Sequence, residues 1–518
     1  MAAIITEKFS LHNAAQFFES FSEAAPTVYY MLFGKTTPYT SLTTSGTDLL
    51  PPAPANDVSS EYYIWDQSTA GKKIAASDVT HAIIRRDWVN NTIYDMYEDN
   101  IGPALWTGYP LAQTPDDVVI NKLTTSGKSS LYESTFCFRT TDNRVYKVID
   151  NNSGVAYSGS EPTSESNSLF SQGGYILKYM YTITTTEQTK FLTTDFMPVS
   201  TDSTVSAAAV DGKIESIIVT PGSGYTNGTY YTAVNGDGVN AGTSSGAIIS
   251  FVVSGGVIVK FGIIFGSDTV VYDGGAGYRF GTVTLTDATV FTDAALTTAV
   301  NTGVINNGGG GAIQIVISPK SGHGFDAVKE LGAHYVIMAS QFVGAERDDL
   351  HVGNDFRNIF IVADPTTYGT STVASDDTVR QSYASKLKSV SGTFVADEKI
   401  TQASTGAVAT VVEWDAINSI LYYQQERYTD YGTNSTGGYA TLSGANAITG
   451  ATSSAVGTPD LTADDAVTLA NGFTITLSDG YSTPELQPDS GSIIYTENIA
   501  PNSRSAEQTD DFKIIVEF

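Results

Sequence analysis

Short apolar runs separated by turn residues recur along most of the chain, and their spacing favours β-strands. Residues 28–33 form an apolar run that predicts a buried strand, and residues 175–185 are rich in residues with high β-propensity. Residues 135–149 alternate well enough to predict a hairpin with Thr141-Asp142-Asn143 as its turn. Residues 356–363 predict a further core strand.

One stretch near the N-terminus has helical spacing instead. Residues 12–21 place four apolar side chains on one helical face: Ala14, Phe17, Phe18 and Phe21. Ser10 or Asn13 is of a type that caps a helix N-terminus. The sequence therefore predicts a helix at the start of a β-rich region.

A Gly-x-Gly-aromatic pattern recurs between residues 205 and 328, where lysine and arginine become rare. It ends on three aromatic residues: Tyr225, Tyr278 and Phe325. Glycine allows positive φ, so each copy predicts a tight turn between strands, covered by its own aromatic ring. A flexible linker explains the stretch less well, because linkers lack regular apolar runs.

A second repeat lies further along the chain. Residues 400–408 match residues 448–456 at an offset of 48 residues. Two small β modules, or two halves of one, are expected here. The patterns together predict five segments: a core over 1–204, an inserted glycine-rich β domain over 205–328, core again over 329–388, a second inserted β domain over 389–488, and a C-terminal core strand over 489–518.

Composition supports this mainly β interpretation. Among 518 residues there are 48 glycines and 29 tyrosines, and 41% of the residues are hydrophobic, which is enough for buried cores. No apolar stretch reaches the length of a membrane helix, and no basic segment with an apolar core begins the chain, so neither a membrane anchor nor a cleaved signal is expected. Cys137 is the single cysteine, which excludes an internal disulfide framework and fits assembly in a reducing cytoplasm.

Charge narrows the classes of partner. The formal net charge is −28, so the surface is expected to repel nucleic acid and anionic lipid. Neither nucleic acid nor membrane is therefore predicted as a partner. Basic patches on other proteins suit such a surface better.

Fragments that imitate catalytic or metal motifs fail on their context. Gly127-Lys128-Ser129 lacks the first glycine of a phosphate-binding loop, and the Gly-x-Ser-x-Gly pattern at 242–246 leads into a predicted strand rather than a helix. The five histidines lack zinc spacing, and adjacent acids such as Asp348-Asp349 point to opposite faces of a strand. Asn235-Gly236-Asp237-Gly238 resembles a calcium loop only in part. No catalytic residue, metal site or cofactor is predicted.

The most informative stretch is Arg85-Arg86-Asp87-Trp88, followed by Tyr94, after an apolar run that predicts a strand. Arginine can hold a carboxylate through two parallel hydrogen bonds and can lie flat on an aromatic ring. Because no nucleophile or base lies nearby in sequence, we interpret the stretch as a structural ion-pair corner with Trp88 as its packing anchor.

At this stretch the chain resembles the baseplate wedge subunit of T-even-type contractile-tailed bacteriophages, known as the gene product eight family. The resemblance runs in order over roughly residues 1–204 and 330–385 and the C-terminal tail. Its further segments are residues 3–9, 33–35 with Pro38, 51–54, 145–148, 173–179, 356–359 and 490–518. Gly174, Tyr175, Glu497 and Asn498 are family-like positions of structural type within these segments.

The resemblance implies a layered β-sandwich core with a few helices in loops, and a homodimer that packs against other baseplate wedge proteins. It also implies a virion protein without catalysis, which takes part in baseplate rearrangement when the tail contracts. The glycine-rich insertions depart from the family pattern, so their role stays open.

An alternative is a glycan-binding adhesin or fibre-attachment protein of the tail. The rings of Tyr225, Tyr278 and Phe325 would then be a ligand platform and would have to be exposed. If they instead cap their own hairpins, they are buried. A polysaccharide-cleaving enzyme would need two facing carboxylates in a cleft, and the sequence gives no sign of them.

Overall fold

The structure is a computed structural model that describes residues 7–34, 64–98, 126–128, 131–238, 247–259, 273–344, 350–352, 354–425, 440–469, 474–503, 505 and 507–518. Several sequence features fall wholly or partly outside these residues: the family-like segments at 3–9, 33–38, 51–54 and 490–518, the Gly127-Lys128-Ser129 fragment, the Gly-x-Ser-x-Gly pattern at 242–246, and the adjacent acids Asp348-Asp349.

A mainly β fold is confirmed, since strands take up 44% of the structure and helices 8%. The helices are α1 (Glu7–Glu19), α2 (Thr185–Phe191), α3 (Ser203–Ala207) and α4 (Ala327–Glu330), with a 3₁₀ turn at Ala76–Asp78. The first strands are β1 (Tyr29–Gly34), β2 (Ser68–Ile74), β3 (Val79–Ile84), β4 (Cys137–Arg139), β5 (Arg144–Asp150), β6 (Phe170–Gln172), β7 (Tyr175–Thr182) and β8 (Phe196–Val199). The glycine-rich stretch contains β9 (Ile214–Ser223), β10 (Gly228–Ala233), β11 (Asn235–Gly236), β12 (Ile248–Ser254), β13 (Val257–Val259), β14 (Gly281–Thr282), β15 (Val290–Phe291) and β16 (Gly309–Ile317).

The remaining strands follow in chain order. They are β17 (Tyr335–Val343), β18 (Asp355–Ala363), β19 (Thr378–Arg380), β20 (Tyr383–Ser391), β21 (Lys399–Gln402), β22 (Ala407–Asp415), β23 (Ile420–Gln424), β24 (Ile448–Gly450), β25 (Val456–Pro459), β26 (Asp465–Thr468), β27 (Thr474–Leu477), β28 (Tyr481–Ser482), β29 (Ser492–Ser503) and β30 (Thr509–Glu517).

Helix α1 begins earlier than the sequence predicts. The prediction starts the helix at residue 12, whereas the helix already includes Glu7. Ser10 and Asn13 therefore lie inside the helix and do not cap it. Ordinary residues differ by less than about 1 kcal/mol in helix propensity, so two polar residues do not prevent a helix that buries Ala14 completely.

The chain divides into two compact units. The first unit comprises Thr80–Ile337 with Met1–Ala15 and Val516–Phe518, and the second comprises Gln16–Val79 with Met338–Ile515. Each unit thus combines segments that are far apart in sequence. The limits predicted for the core and its insertions stay a prediction.

In the first unit, β4, β5, β7 and β6 form an antiparallel sheet in that order. The predicted hairpin is confirmed: β4 pairs with β5 in antiparallel register, and Asn143 takes positive φ in the turn. The neighbouring pair of strands is β3 and β8. Large aromatic side chains without exposed surface fill the core: Phe136, Phe138, Tyr146, Tyr157 and Tyr175.

The glycine-rich part of the first unit has its own apolar cluster. Strands β13, β12, β10 and β15 form one antiparallel sheet, and β16 pairs with β9 over most of its length. All six glycines of the three Gly-x-Gly-aromatic motifs have positive φ, as predicted, but Gly222 lies within β9, which pairs with β16 and not with the following β10, so the first motif does not join a hairpin. The strands of this part bury a shared core that contains Ile249, Phe251 and Val290.

In the second unit, β1 and β18 occupy the middle of a five-stranded antiparallel sheet with the order β19, β2, β1, β18, β29. Residues 29–34 of β1 pair with β2 on one side and with β18 on the other, and all of them are buried. The buried strand predicted from the apolar run is therefore confirmed. Tyr30, Leu32 and Phe360 have no exposed surface and pack with Trp65.

The second sheet of this unit explains the repeat at an offset of 48 residues. The first copy forms β21 and the start of β22, and the second forms β24 and the start of β25. Strands β21 and β24 pair with each other, so the two copies are adjacent hairpins of one seven-stranded sheet. Ile400 and Ile448 occupy equivalent positions and are both fully buried.

Replacing Gly173 with alanine is expected to lower the free energy of unfolding of the first unit. Gly173 has φ +62°, and a Cβ there would lie 2.5 Å from Cζ of the buried Tyr157. Left-handed backbone costs about 1–2 kcal/mol for a residue with Cβ, and overpacking adds about 1–3 kcal/mol. Urea denaturation followed by tryptophan fluorescence measures the loss.

Gly154→Ala is the matched control, because Gly154 also has positive φ (+80°) but would place its Cβ in open space. It should lose only the backbone contribution, about 1–2 kcal/mol. Equal losses in the two variants would contradict a packing role for Gly173.

Candidate functional site

The Arg-Arg-Asp-Trp stretch lies where β3 leaves its pairing with β8. Arg85 Nε donates to both carboxylate oxygens of Asp87, at 3.2 and 2.9 Å, and Nη2 lies 2.7 Å from Oδ2. Arg85 Nη1 also donates to the carbonyl oxygen of Thr193 at 2.8 Å. The guanidinium therefore joins the strand end, the following turn and the segment before β8.

A second arginine, which the sequence analysis did not single out, completes this corner. Arg139 of β4 donates from Nε to Asp87 Oδ1 at 2.8 Å, and its Nη2 lies 2.7 Å from the same oxygen. Backbone hydrogen bonds link Arg139 to Arg86 and Trp88 as well. Desolvation alone would raise the pKa of Asp87, but hydrogen bonds from Arg85 and Arg139 outweigh it and lower that pKa.

Arg86 makes different contacts. Its Nη2 donates to the carbonyl oxygen of Tyr132 at 2.6 Å, and its Nη1 lies 3.5 Å from Cys137 Sγ. Burial raises the pKa of the Cys137 thiol, so it stays protonated at neutral pH. The two adjacent arginines thus tie two separate segments to the end of β3.

Trp88 and Tyr94 pack into an aromatic cluster beside the corner. Trp88 meets Tyr157 edge-on at 5.8 Å between ring centroids, and Tyr94 meets Tyr157 edge-on at 6.5 Å. The Tyr94 hydroxyl donates to the carbonyl oxygen of Val89 at 3.0 Å and accepts from its N–H at 2.6 Å. Burial raises the pKa of Tyr94 to about 12, so the hydroxyl keeps its proton.

Gly174 and Tyr175 belong to the same cluster. Gly173 and Gly174 form the turn between β6 and β7, both with positive φ. The Tyr175 hydroxyl that follows this turn donates to the carbonyl oxygen of Val155 at 2.7 Å and accepts from the Tyr94 N–H at 3.2 Å. Two family-like segments that are distant in sequence therefore touch directly.

Glu497 and Asn498 lie apart from this cluster, on β29 in the second unit. Asn358 of β18, which has no exposed surface, donates Nδ2 to Asn498 Oδ1 at 2.9 Å and to the carbonyl oxygen of Glu497 at 3.1 Å. The Glu497 carboxylate accepts from the Tyr495 hydroxyl. These contacts pair side chains across adjacent strands, at a place where the register of β18 and β29 shifts.

The three motif aromatics lie in different environments. Tyr225 is 7% exposed and its hydroxyl accepts from the Gly311 N–H at 2.9 Å, whereas Tyr278 is 1% exposed and its hydroxyl accepts from the Ala247 N–H. Phe325 is 47% exposed. Because stacking on a sugar needs an accessible ring face, only Phe325 presents one in this structure.

One side-chain group has the hydrogen-bond order of a serine hydrolase triad. His351 Nε2 lies 2.7 Å from Ser382 Oγ, and Nδ1 lies 3.1 Å from Glu413 Oε2. Ser382 has no exposed surface, so its hydroxyl offers no room for a substrate carbonyl. The group acts here as a hydrogen-bond chain that joins the partly exposed Glu413 on β22 to the buried Ser382 before β20.

A second polar group was missed by the sequence analysis. Lys147, His323 and Glu330 meet in the core of the first unit, with Nζ of Lys147 2.8 Å from Glu330 Oε2 and 2.9 Å from His323 Nδ1. A lysine at an inward position of an apolar strand was a visible signal, but its partners lie about 180 residues away in sequence. No local spacing relates them.

Among the described residues, no group of three or more His, Cys, Asp or Glu side chains could hold a metal ion. In the partial calcium-loop pattern, Asp237 Oδ1 already accepts the backbone N–H groups of Arg279 and Phe280, at 2.9 and 3.1 Å. No helix in the described ranges is long and apolar enough to cross a membrane.

The described residues thus form a β scaffold. Most of the side chains that the sequence analysis named as family-like form hydrogen bonds or ring contacts with other side chains and backbone groups of the fold. A family model described as Bacteriophage T4, Gp8 matches residues 3–118. This match confirms the resemblance to the gene product eight family, over less than a quarter of the chain, and supports a structural protein of the phage tail baseplate. The comparison with curated proteins gives no match.

Asp87→Asn is expected to lower the free energy of unfolding of the first unit by about 1–3 kcal/mol, because Arg139 loses a charged partner. The Arg139 side chain is only 10% exposed, so water replaces that partner poorly. Urea denaturation at pH 7 measures the difference.

Asp142→Asn is the matched control, since Asp142 pairs with Arg144 but is 64% exposed; its loss should be about 0–1 kcal/mol. The lowered pKa of Asp87 means that its contribution is present above the ordinary aspartate range and fades as pH falls through the folded-state pKa. The gap between wild type and Asp87→Asn should therefore close in acid. A gap that persists below that pKa would contradict an ion-pair origin.

Proposed function

We propose that this chain is a non-catalytic subunit of a phage tail baseplate wedge that holds neighbouring wedge proteins in place. The observation that carries the proposal is the family match over residues 3–118, which ends beyond the Arg-Arg-Asp-Trp corner. A wedge subunit must present fixed surfaces to several neighbours, and its assembly energy comes from buried interface area.

The contacts of the corner support such a scaffold role. Asp87 is shared by two guanidinium groups, and the aromatic cluster beside it keeps its tyrosine hydroxyls hydrogen-bonded. Side chains that satisfy one another inside the fold hold the backbone in a single arrangement. In this proposal, exposed surfaces rather than these internal side chains recognise the partners.

The charge of the chain supports protein partners with basic surfaces. Its net charge of −28 favours association with positively charged faces and disfavours nucleic acid and anionic lipid. The partners in this proposal are a second copy of the chain, as a homodimer, and other baseplate wedge proteins. The chain is assembled in the host cytoplasm, is carried in the virion baseplate, and takes part in its rearrangement when the tail contracts.

An adhesin is the alternative, and Phe325 is the one motif ring that favours it. Its exposed face lies in the turn before α4, where the Ser206 hydroxyl donates to its carbonyl oxygen at 2.7 Å. A single exposed ring is a small platform for a sugar. The wedge proposal therefore takes precedence.

The full chain is expected to form a dimer on its own and a larger complex with separately produced wedge proteins of the same phage. Multi-angle light scattering and mass photometry measure both species. Higher salt should weaken the complex, because charge attraction between exposed groups is screened. A capsid protein of the same phage is the control partner and should not bind.

Phe325→Ala separates the two functions. The substitution should leave the wedge complex unchanged, because Phe325 has no part in the proposed scaffold contacts. A monomer that ignores the wedge proteins but binds a glycan array, and loses that binding in Phe325→Ala, would overturn the wedge proposal in favour of the adhesin.

A further inference from the structure

The buried group around Lys147 brings an amine, a carboxyl group and an imidazole into contact away from water. The side chains of Lys147, His323 and Glu330 are 0%, 2% and 4% exposed. Nζ lies 2.8 Å from Glu330 Oε2 and 2.9 Å from His323 Nδ1, and it sits 4.2 Å from the centroid of the Tyr97 ring. The amine therefore has a carboxyl group and a proton acceptor within hydrogen-bond distance.

The environment works against keeping this pair charged. Moving an ammonium and a carboxylate out of water carries a desolvation penalty that their mutual attraction only partly offsets. Burial lowers the pKa of Lys147, although Glu330 opposes the shift. Burial is the main cause that lowers the pKa of His323 well below its ordinary value, and the charge of Lys147 is the second cause. The imidazole is therefore neutral. A neutral imidazole with its proton on Nε2 can accept a proton from Nζ at Nδ1.

The other oxygen of Glu330 is held by backbone donors. Oε1 accepts the N–H of Gly324 at 2.7 Å and the N–H of Asp326 at 3.2 Å. Gly324 has φ +89°, and a Cβ there would lie 2.5 Å from Val205 Cγ1, so the turn that presents this N–H depends on glycine. Donors in this position stabilise negative charge on an oxygen bound to a tetrahedral carbon.

From these contacts we infer that Lys147 and Glu330 condense to an intramolecular amide (isopeptide) bond. The ammonium passes one proton to His323 Nδ1, and the Nζ lone pair forms a bond to Cδ of Glu330. The Cδ–Oε2 bond then breaks. Oε2 leaves as water with the proton held by His323 and a second proton from Nζ, so the imidazole returns to its neutral form. The step needs no oxidant, reductant or cofactor.

The fold supplies both the rate and the direction of this reaction. Two groups held in contact react with effective molarities of about 10⁵–10⁸ M when their geometry is suitable. The product replaces two buried charges by one neutral amide, whose carbonyl oxygen keeps the hydrogen bonds from Gly324 and Asp326. Expulsion of water and removal of the buried charges both favour the bond in this core.

The bond would tie β5 to α4 and close a chain segment of 183 residues. That segment contains β6 to β16, including the glycine-rich sheets. A covalent closure of this length restricts the unfolded chain strongly. The inference concerns this core alone and does not depend on the proposed function.

The wild-type full chain gives the first test, by mass spectrometry of the denatured protein. Its intact mass should fall below the sequence mass by one molecule of water. Tryptic digestion should fail to cut after Lys147 and should yield a branched peptide that joins the segment around Lys147 to the segment around Glu330. An unchanged mass with normal cleavage after Lys147 would overturn the proposal, as would a water loss that fragmentation locates elsewhere.

Lys147→Met removes the nucleophile together with its charge and should restore the full sequence mass. Lys178→Met is the matched control. Lys178 is a buried lysine opposite Lys147 on β7, but its Nζ donates to the carbonyl oxygen of Asn167 at 2.5 Å instead of meeting a carboxyl group. The water loss should persist in Lys178→Met. Loss of the signal in both variants, or in neither, counts against the bond.

His323→Gln tests the proton acceptor in protein recovered unfolded from inclusion bodies, whose full sequence mass shows that no bond has yet formed, when it is folded by dilution from urea. Removing a positioned base slows such a step about a hundredfold or more, so the branched peptide should appear correspondingly later than in wild type. Tryptophan fluorescence follows folding in the same samples. Unchanged bond formation in a folded His323→Gln variant would remove His323 from the mechanism.

Discussion

The first unit depends on one constraint, which is the burial of the Lys147 amine in the middle of a central strand. An ammonium without exposed surface needs a partner, and β5 cannot supply one because its neighbours opposite Lys147 are Cys137 and Lys178. Glu330 and His323 meet this need from the segment that follows the glycine-rich sheets. Between β8 and α4 the chain builds those sheets and then brings His323 and Glu330 back to Lys147.

Glycine residues shape the backbone of the glycine-rich part between β8 and α4. The Gly-x-Gly-aromatic motifs place glycine where the backbone takes positive φ, and the buried rings of Tyr225 and Tyr278 fill the space beside other glycines, Gly308 and Gly238. The second unit uses a related arrangement, because its two repeated hairpins lie side by side in one sheet with Ile400 and Ile448 in equivalent buried positions. Both parts gain rigidity from turns and paired strands rather than from long helices.

A scaffold of this kind fits a baseplate wedge on physical grounds. The family match covers residues 3–118, and Asp87 within that range binds Arg139, which lies outside it, through charge-assisted hydrogen bonds. Side chains with catalytic resemblance, such as Ser382 with His351, are buried within the fold. The chain has a net charge of −28, so we expect charge and shape complementarity to select its partners.

The sequence by itself determined the local features of this protein. Apolar runs predicted the strands at 28–33 and 356–363, alternation with turn residues predicted the hairpin at 135–149, and the Gly-x-Gly motifs predicted positive φ, because these properties depend on neighbours along the chain. Only the tertiary structure decided the start of α1, the pairing of Asp87 with Arg139, and the meeting of Lys147 with Glu330. Such contacts join residues far apart in sequence, and their energy depends on burial and mutual geometry that no local spacing encodes.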